Sequence, residues 1–150
     1  MGAGQDRRSP IAGPASDDGT DARCAADREA ARLRHRVREL LGAWHLRELA
    51  DRVADLVGDL VTEAGSAARP RGRRPDVRLQ VRQGVLRAEV RAVAGSPRQD
   101  LASLLGGRSD RWGCTVSERG SLLWFELGVR PQDRRRAQPP PVLLPNRPAV

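Results

Sequence analysis

The sequence predicts an α/β domain of the α+β kind, a two-layer sandwich with helices on one face of a mixed or antiparallel sheet. Two observations carry this. From about residue 21 to residue 67 apolar residues recur at helical spacing, and from Val77 they fall on every second residue. A third observation sets the connections: Gly84, Gly106-Gly107 and Gly120 fall between the periodic runs, where turns and helix stops belong.

Each element follows in order. A first helix is expected over about Asp21 to Ala43, with Leu33, Val37, Leu40, Leu41 and Trp44 on one face. A second is expected over about Leu46 to Ala67, with the stripe Leu46, Leu49, Val53, Leu56, Val57, Leu60 and Ala64. Gly65 and Pro70 act as stop signals. Val77, Leu79 and Val81 then alternate with Arg78, Gln80 and Arg82, and after Gly84 Leu86, Ala88, Val90 and Ala92 alternate with Arg87, Glu89 and Arg91. This is a hairpin whose outward face carries Arg78, Arg82, Arg87 and Arg91. Ser96-Pro97-Arg98-Gln99 reads as a helix start with a capping box, followed by the apolar Leu101, Leu104 and Leu105. Two further strands are expected at about Cys114 to Ser117 and Leu122 to Leu127, joined at Glu118-Arg119-Gly120.

The remainder of the chain is read as tails. Residues 1–22 are polar and aperiodic and read as a disordered N-terminal segment, with the folded domain over 23–130. Residues 131–150, with Arg134-Arg135-Arg136 and Pro139-Pro140-Pro141, read as an extended, disordered Arg/Pro-rich tail. The N-terminus lacks the apolar core of a secretory signal, and no run reaches the length of a membrane span. Cys24 and Cys114 fit neither a disulfide framework nor a metal spacing, so a reduced cytoplasmic protein is expected.

All 27 basic residues are arginine, and the formal net charge is +8. The charge is uneven. Residues 70–91 hold 7 Arg and 2 acidic groups, net +5, whereas residues 1–22 are net −2. A basic stripe can serve nucleic acid or an acidic protein equally well. Aromatic residues are only 3% of the chain and no nucleic-acid motif is present, so a nucleic-acid binder is the lesser alternative. His35 and His45 have no clustered ligands and read as surface residues. Trp112 reads as core or rim packing, and Trp124 as part of a partner surface on the outer sheet face.

Five segments together resemble one family. They are Val37-Arg38-Glu39-Leu40-Leu41-Gly42-Ala43-Trp44, Leu56 to Ala64, Leu86 to Arg91, Asp110-Arg111-Trp112-Gly113 and Leu123-Trp124-Phe125-Glu126-Leu127. In that order, over about Arg28 to Arg130, they resemble the bacterial anti-sigma-factor serine/threonine kinases of the histidine-kinase-like ATPase fold. The Asp110–Gly113 piece resembles the end of that family's third helix.

The resemblance implies ATP and Mg²⁺ as cofactors, a sigma factor or an anti-sigma antagonist as partner, and a homodimer among the assemblies. By the same resemblance Asp59 stands at the general base and Glu63 at the metal-holding Asn, one turn apart on the second helix. Glu63 brings negative charge where the family has a neutral amide. Ala92-Val93-Ala94 replaces the Asp that reads adenine, a loss of about 1.5–3 kcal/mol. Between Ser96 and Asp110 the family's Gly-Arg-Gly-Leu phosphate cradle is absent from the sequence. The expectation is therefore a degenerate, non-catalytic member that acts by protein binding in transcription control with weak or lost ATP binding. The alternatives are a working ATP-dependent serine/threonine kinase that uses Asp59 and Glu63, and a basic nucleic-acid binder.

Overall fold

The computed structural model describes residues 18–67, 75–92, 100–135 and 140–144. Two long helices come first, α1 over Asp18–Ala43 and α2 over Arg47–Ala67. The chain reverses between them at Trp44-His45-Leu46. His45 takes a positive φ of 60°, and the Leu46 N–H donates to the Leu41 carbonyl at 2.8 Å. The His45 N–H donates to the Gly42 carbonyl, which completes a helix stop usually built on glycine. The apolar stripes do what their spacing predicts: Leu33, Val37, Leu41 and Trp44 of the first helix and Val53, Leu56, Val57 and Leu60 of the second are buried in one core.

Among the described residues the sheet has five strands in the order β3-β4-β2-β1-β5, and every neighbouring pair is antiparallel. These are β1 (Asp76–Arg82), β2 (Val85–Ala92), β3 (Arg111–Ser117), β4 (Gly120–Gly128) and β5 (Val142–Leu144). Gln83 and Gly84, with φ of 50° and 74°, make the two-residue turn of the first hairpin, in which Arg82 pairs with Val85. Two left-handed residues match the twist of the flanking strands, which is why glycine sits there. One face of the sheet is apolar. Val77 and Leu79, then Leu86, Ala88 and Val90, then Leu123, Phe125 and Leu127 are almost fully buried there, and α2 lies over β2. The architecture is thus α+β with an open antiparallel sheet.

Several expectations change. The segment 131–150 is not an unstructured tail throughout: α4 spans Pro131–Arg134, and β5 adds the fifth strand beside β1. Leu144 is buried opposite Val77. Within the segment read as the N-terminal tail, residues 18–22 already belong to α1, and residues 1–17 lie outside the described residues. The short helix α3 spans Leu101–Leu105, capped by Asp100, whose carboxylate accepts from the Ala102 N–H at 3.0 Å. The cap expected at Ser96–Gln99 lies outside the described residues. Arg111-Trp112-Gly113 is not the end of a helix. It opens β3, and α3 has already stopped at Leu105. The last two strands also start earlier than their alternation suggests, at Arg111 and Gly120.

Candidate functional site

The two carboxylates singled out by the resemblance sit in different settings. Asp59 is half-buried between three elements. Its Oδ1 accepts from Nη2 of Arg34 on α1 at 3.1 Å, and its Oδ2 accepts from Nη1 of Arg108 after α3 at 2.9 Å. Arg34 approaches so closely because residue 58 is glycine. A Cβ there would fall 2.3 Å from the Arg34 Nε. Glu63, one turn on, is buried.

Asp59 is the inner rung of a ladder. Arg38 binds Asp51 at 2.7 Å and Asp55 at 3.4 Å, while Arg34 reaches Asp55 at 3.9 Å. Arg34 and Arg38 are four apart on α1, and Asp51, Asp55 and Asp59 are four apart on α2, so each set shares a helix face. Rising numbers on one helix meet falling numbers on the other, as antiparallel neighbours require. Exposed pairs of this kind contribute about 0.2–1 kcal/mol each. The ladder fixes the register of two helices.

The two guanidiniums set the electrostatics of Asp59. A magnesium ion or a substrate hydroxyl would compete with these guanidiniums for a carboxylate lone pair. Both oxygens of Asp59 are engaged by guanidinium groups. Among the described residues no cluster of three or more His, Cys, Asp or Glu side chains is placed to hold a metal. A hollow of about 310 Å³ opens near the start of α2, bordered by Glu48, Arg52, Asp110, Arg130 and Asp133. Arg130 is bound there to Glu48 at 2.7 Å. Three carboxylates against two guanidiniums make it a poor receptor for a polyanion.

The second candidate surface is the sheet face turned away from the helices. Cross-strand register aligns Arg78, Glu89, Trp124 and Gly113 in one row and Gln80, Arg87, Glu126 and Arg111 in the next. The arginines of the predicted stripe divide here. Arg87 is bound within the sheet. Its Nε donates to Glu89 and its Nη1 to Glu126, both at 2.8 Å, and its guanidinium lies 4.2 Å from the centre of the Trp124 ring. Burial pulls the Arg87 guanidinium down, but the hydrogen bonds and charges of Glu126 and Glu89 outweigh it and hold the group above its ordinary value. Arg78, Arg82 and Arg91 are exposed and have no ion-pair partner among the described residues.

Trp124 is therefore not the open aromatic that its position suggested. It is half-buried under Arg87 and over Gly113, where a Cβ would fall 2.7 Å from the indole. The exposed tryptophan is Trp112, at 38% on the other face of the edge strand β3. Next to the free arginines a shallow depression of about 240 Å³ is bordered by Asp76, Arg78, Glu89, Arg91, Leu122 and Leu143. Leu143 is exposed and reaches this face only because β5 pairs with β1.

Sequence reading missed Arg34 and Arg38 as the α1 side of this ladder, and Arg108 as the second partner of Asp59. The four-residue spacing of the three aspartates and of the two α1 arginines carried a signal for the first two. Nothing local marked Arg108, which comes from 49 residues away. No helix among the described residues is long and apolar enough to cross a membrane. No protein-family model matches this chain, and no curated protein or solved structure matches it either.

Proposed function

We propose that this chain is a non-catalytic binding domain that acts in transcription control by holding a protein partner on the open face of its sheet. The observation that carries this reading is the division of that face. Arg87 is spent internally on Glu89, Glu126 and Trp124, whereas Arg78 and Arg91 remain exposed around a depression that Asp76, Glu89, Leu122 and Leu143 also border, and Arg82 is exposed at the far end of β1. Free guanidiniums beside two apolar side chains suit an acidic protein segment that carries an apolar anchor. A nucleic acid would look for stacking aromatics, and the one tryptophan on this face is covered.

The class of partner follows from the resemblance to anti-sigma-factor kinases: a sigma factor or an anti-sigma antagonist. Weak or lost ATP binding belongs to the same reading: it rests on the departures at Glu63 and Ala92-Val93-Ala94 from the residues the resemblance implies, and the guanidiniums of Arg34 and Arg108 on Asp59 support it.

The test is a binding titration of the wild-type chain and of the triple variant Arg78→Glu, Arg82→Glu, Arg91→Glu against purified sigma factors and their antagonists. Arg87 is left intact because it belongs to the sheet's own ion-pair network. A loss of at least tenfold in affinity, about 1.4 kcal/mol, is expected for the variant. Unchanged affinity removes the sheet face from consideration. Calorimetry with Mg-ATP runs beside it. Saturable micromolar binding that disappears in Asp59→Ala and Glu63→Ala would overturn the non-catalytic reading.

A further inference from the structure

We propose that β3 pairs with the β3 of a second copy of this chain, antiparallel and centred on Cys114, so that the sheet continues from one molecule into the other. This inference does not depend on the partner assigned above.

β3 is an edge strand, hydrogen-bonded to β4 alone among the described strands. Its register with β4 places Trp112 opposite Phe125, Cys114 opposite Leu123 and Val116 opposite Ser121, which puts all three on the helix-bearing side of the sheet. The central strands are covered there, yet Trp112 is 38% exposed, Val116 is 56% exposed, and Cys114 is exposed too. A row of apolar side chains beside a backbone edge with no partner among the described strands is a template for another strand.

The pattern of the strand selects the occupant. In an antiparallel pair of identical strands centred on Cys114, each residue meets the one equally far on the other side of the centre. Trp112 then lies against the partner's Val116, Val116 against the partner's Trp112, and Cys114 against the partner's Cys114. All the exposed apolar groups of the edge are buried against each other. On the other face Gly113 meets the partner's Thr115 and Arg111 meets the partner's Ser117. A shift by one residue would instead bring apolar residues against Gly113 and Thr115.

Charge agrees with this choice. The chain is net +8, so most of its surface repels a second copy. Arg111 is the only charge in the strand, it faces a neutral serine in the pair, and Glu126 of its own molecule already sits 3.7 Å from it. Such pairing is isologous, and the two-fold axis closes it at a dimer. With one strand per copy the contact is small, and a weak, concentration-dependent association is expected.

The experiment is sedimentation equilibrium of the reduced full chain over a wide range of protein concentration, up to the hundreds of micromolar at which weak association shows. A monomer–dimer equilibrium is expected. Val116→Lys, which sets a charge against the partner's Trp112 twice per dimer, should weaken it at least tenfold while the melting temperature stays unchanged. Register is read separately by oxidation with diamide, which takes up the two protons and two electrons released when two thiols join. Directly opposed Cα atoms lie within disulfide reach. A covalent dimer is expected that survives Cys24→Ser and disappears in Cys114→Ser. In a chain lacking both natural cysteines, Trp112→Cys with Val116→Cys should link 112 to 116. A monomer over the whole range, a dimer indifferent to Val116→Lys, or cross-links in another register would each overturn the proposal.

Discussion

The two edges of the sheet are built in opposite ways. β5 is three residues long, preceded in sequence by Pro139-Pro140-Pro141 and followed by Pro145. Prolines have no N–H to offer, so a short strand set between them is a poor template for further pairing. β3 is seven residues long, contains no proline and carries one charge, at its first position. The chain closes one side of its sheet with its own C-terminal segment and leaves the other side able to extend. A sheet with one closed and one open edge can form a pair of molecules and then stop.

The largest effect should come from opening the closed edge. A chain ending at Arg135 loses β5, and with it the burial of Leu144 against Val77. Removing a buried leucine and its strand partners costs about 3 kcal/mol, within the range for large core truncations. It also bares β1, which is seven residues of alternating apolar sequence. Urea unfolding should show the loss in stability, and light scattering should show association beyond a dimer, because both edges can then recruit. A truncated chain as stable and as well-behaved as the full one would remove the distinction between the edges.

The next effect concerns what anchors the open edge. Gly113 lets the Trp124 indole lie across β3, and Arg87 covers the ring from the other side. Gly113→Ala would place a methyl 2.7 Å from the ring and force the indole or the strand to move. About 1–2 kcal/mol of stability should be lost, the usual range for an overpacked contact. Arg87 loses its ring contact when the indole shifts, so Trp124 fluorescence is the readout. If β3 is held instead by its backbone ladder alone, stability and emission will both stay at their wild-type values.

How legible was all this in the sequence? The helices and the first hairpin were, because their stripes are long and of one period: Leu33 through Trp44, Leu46 through Ala64 and Val77 through Ala92 are buried where the spacing puts them. β3 was half legible. Arg111, Trp112 and Gly113 read as a helix end, since a resemblance of four residues outweighed the alternation of a strand whose residues are mostly exposed. β5 was hidden by its prolines, which read as tail and serve as guards. The candidate site divided in the same manner. Asp59 and the outward arginines were placed on the right elements by periodicity. That Asp59 is bound to Arg108, and that Arg87 is held while Arg78 and Arg91 are free, depends on contacts between distant segments. No local pattern encodes those.

The smallest effect measures how closed the open edge already is in a single molecule. Partial burial pushes the Cys114 thiol above its ordinary value, because the thiolate loses solvation among its neighbours. The reactive species is the thiolate, so at mildly alkaline pH the folded chain should be alkylated by iodoacetamide more slowly at Cys114 than the urea-unfolded chain is. The difference should close as pH rises past the folded thiol's titration. Linkage fixes the sign for stability as well. A thiol whose folded value is raised favours the folded state while it is protonated, and that contribution is lost as pH climbs from the unfolded value through the folded one. The measurement separates the single molecule from the pair. In dilute monomer, protection should be modest, reflecting only the neighbours that Cys114 has on its own sheet. Raising the protein concentration through the dimer range should deepen it, since the partner's β3 then covers the sulfur. Protection that is already complete in dilute solution would mean that this edge is as closed as the other.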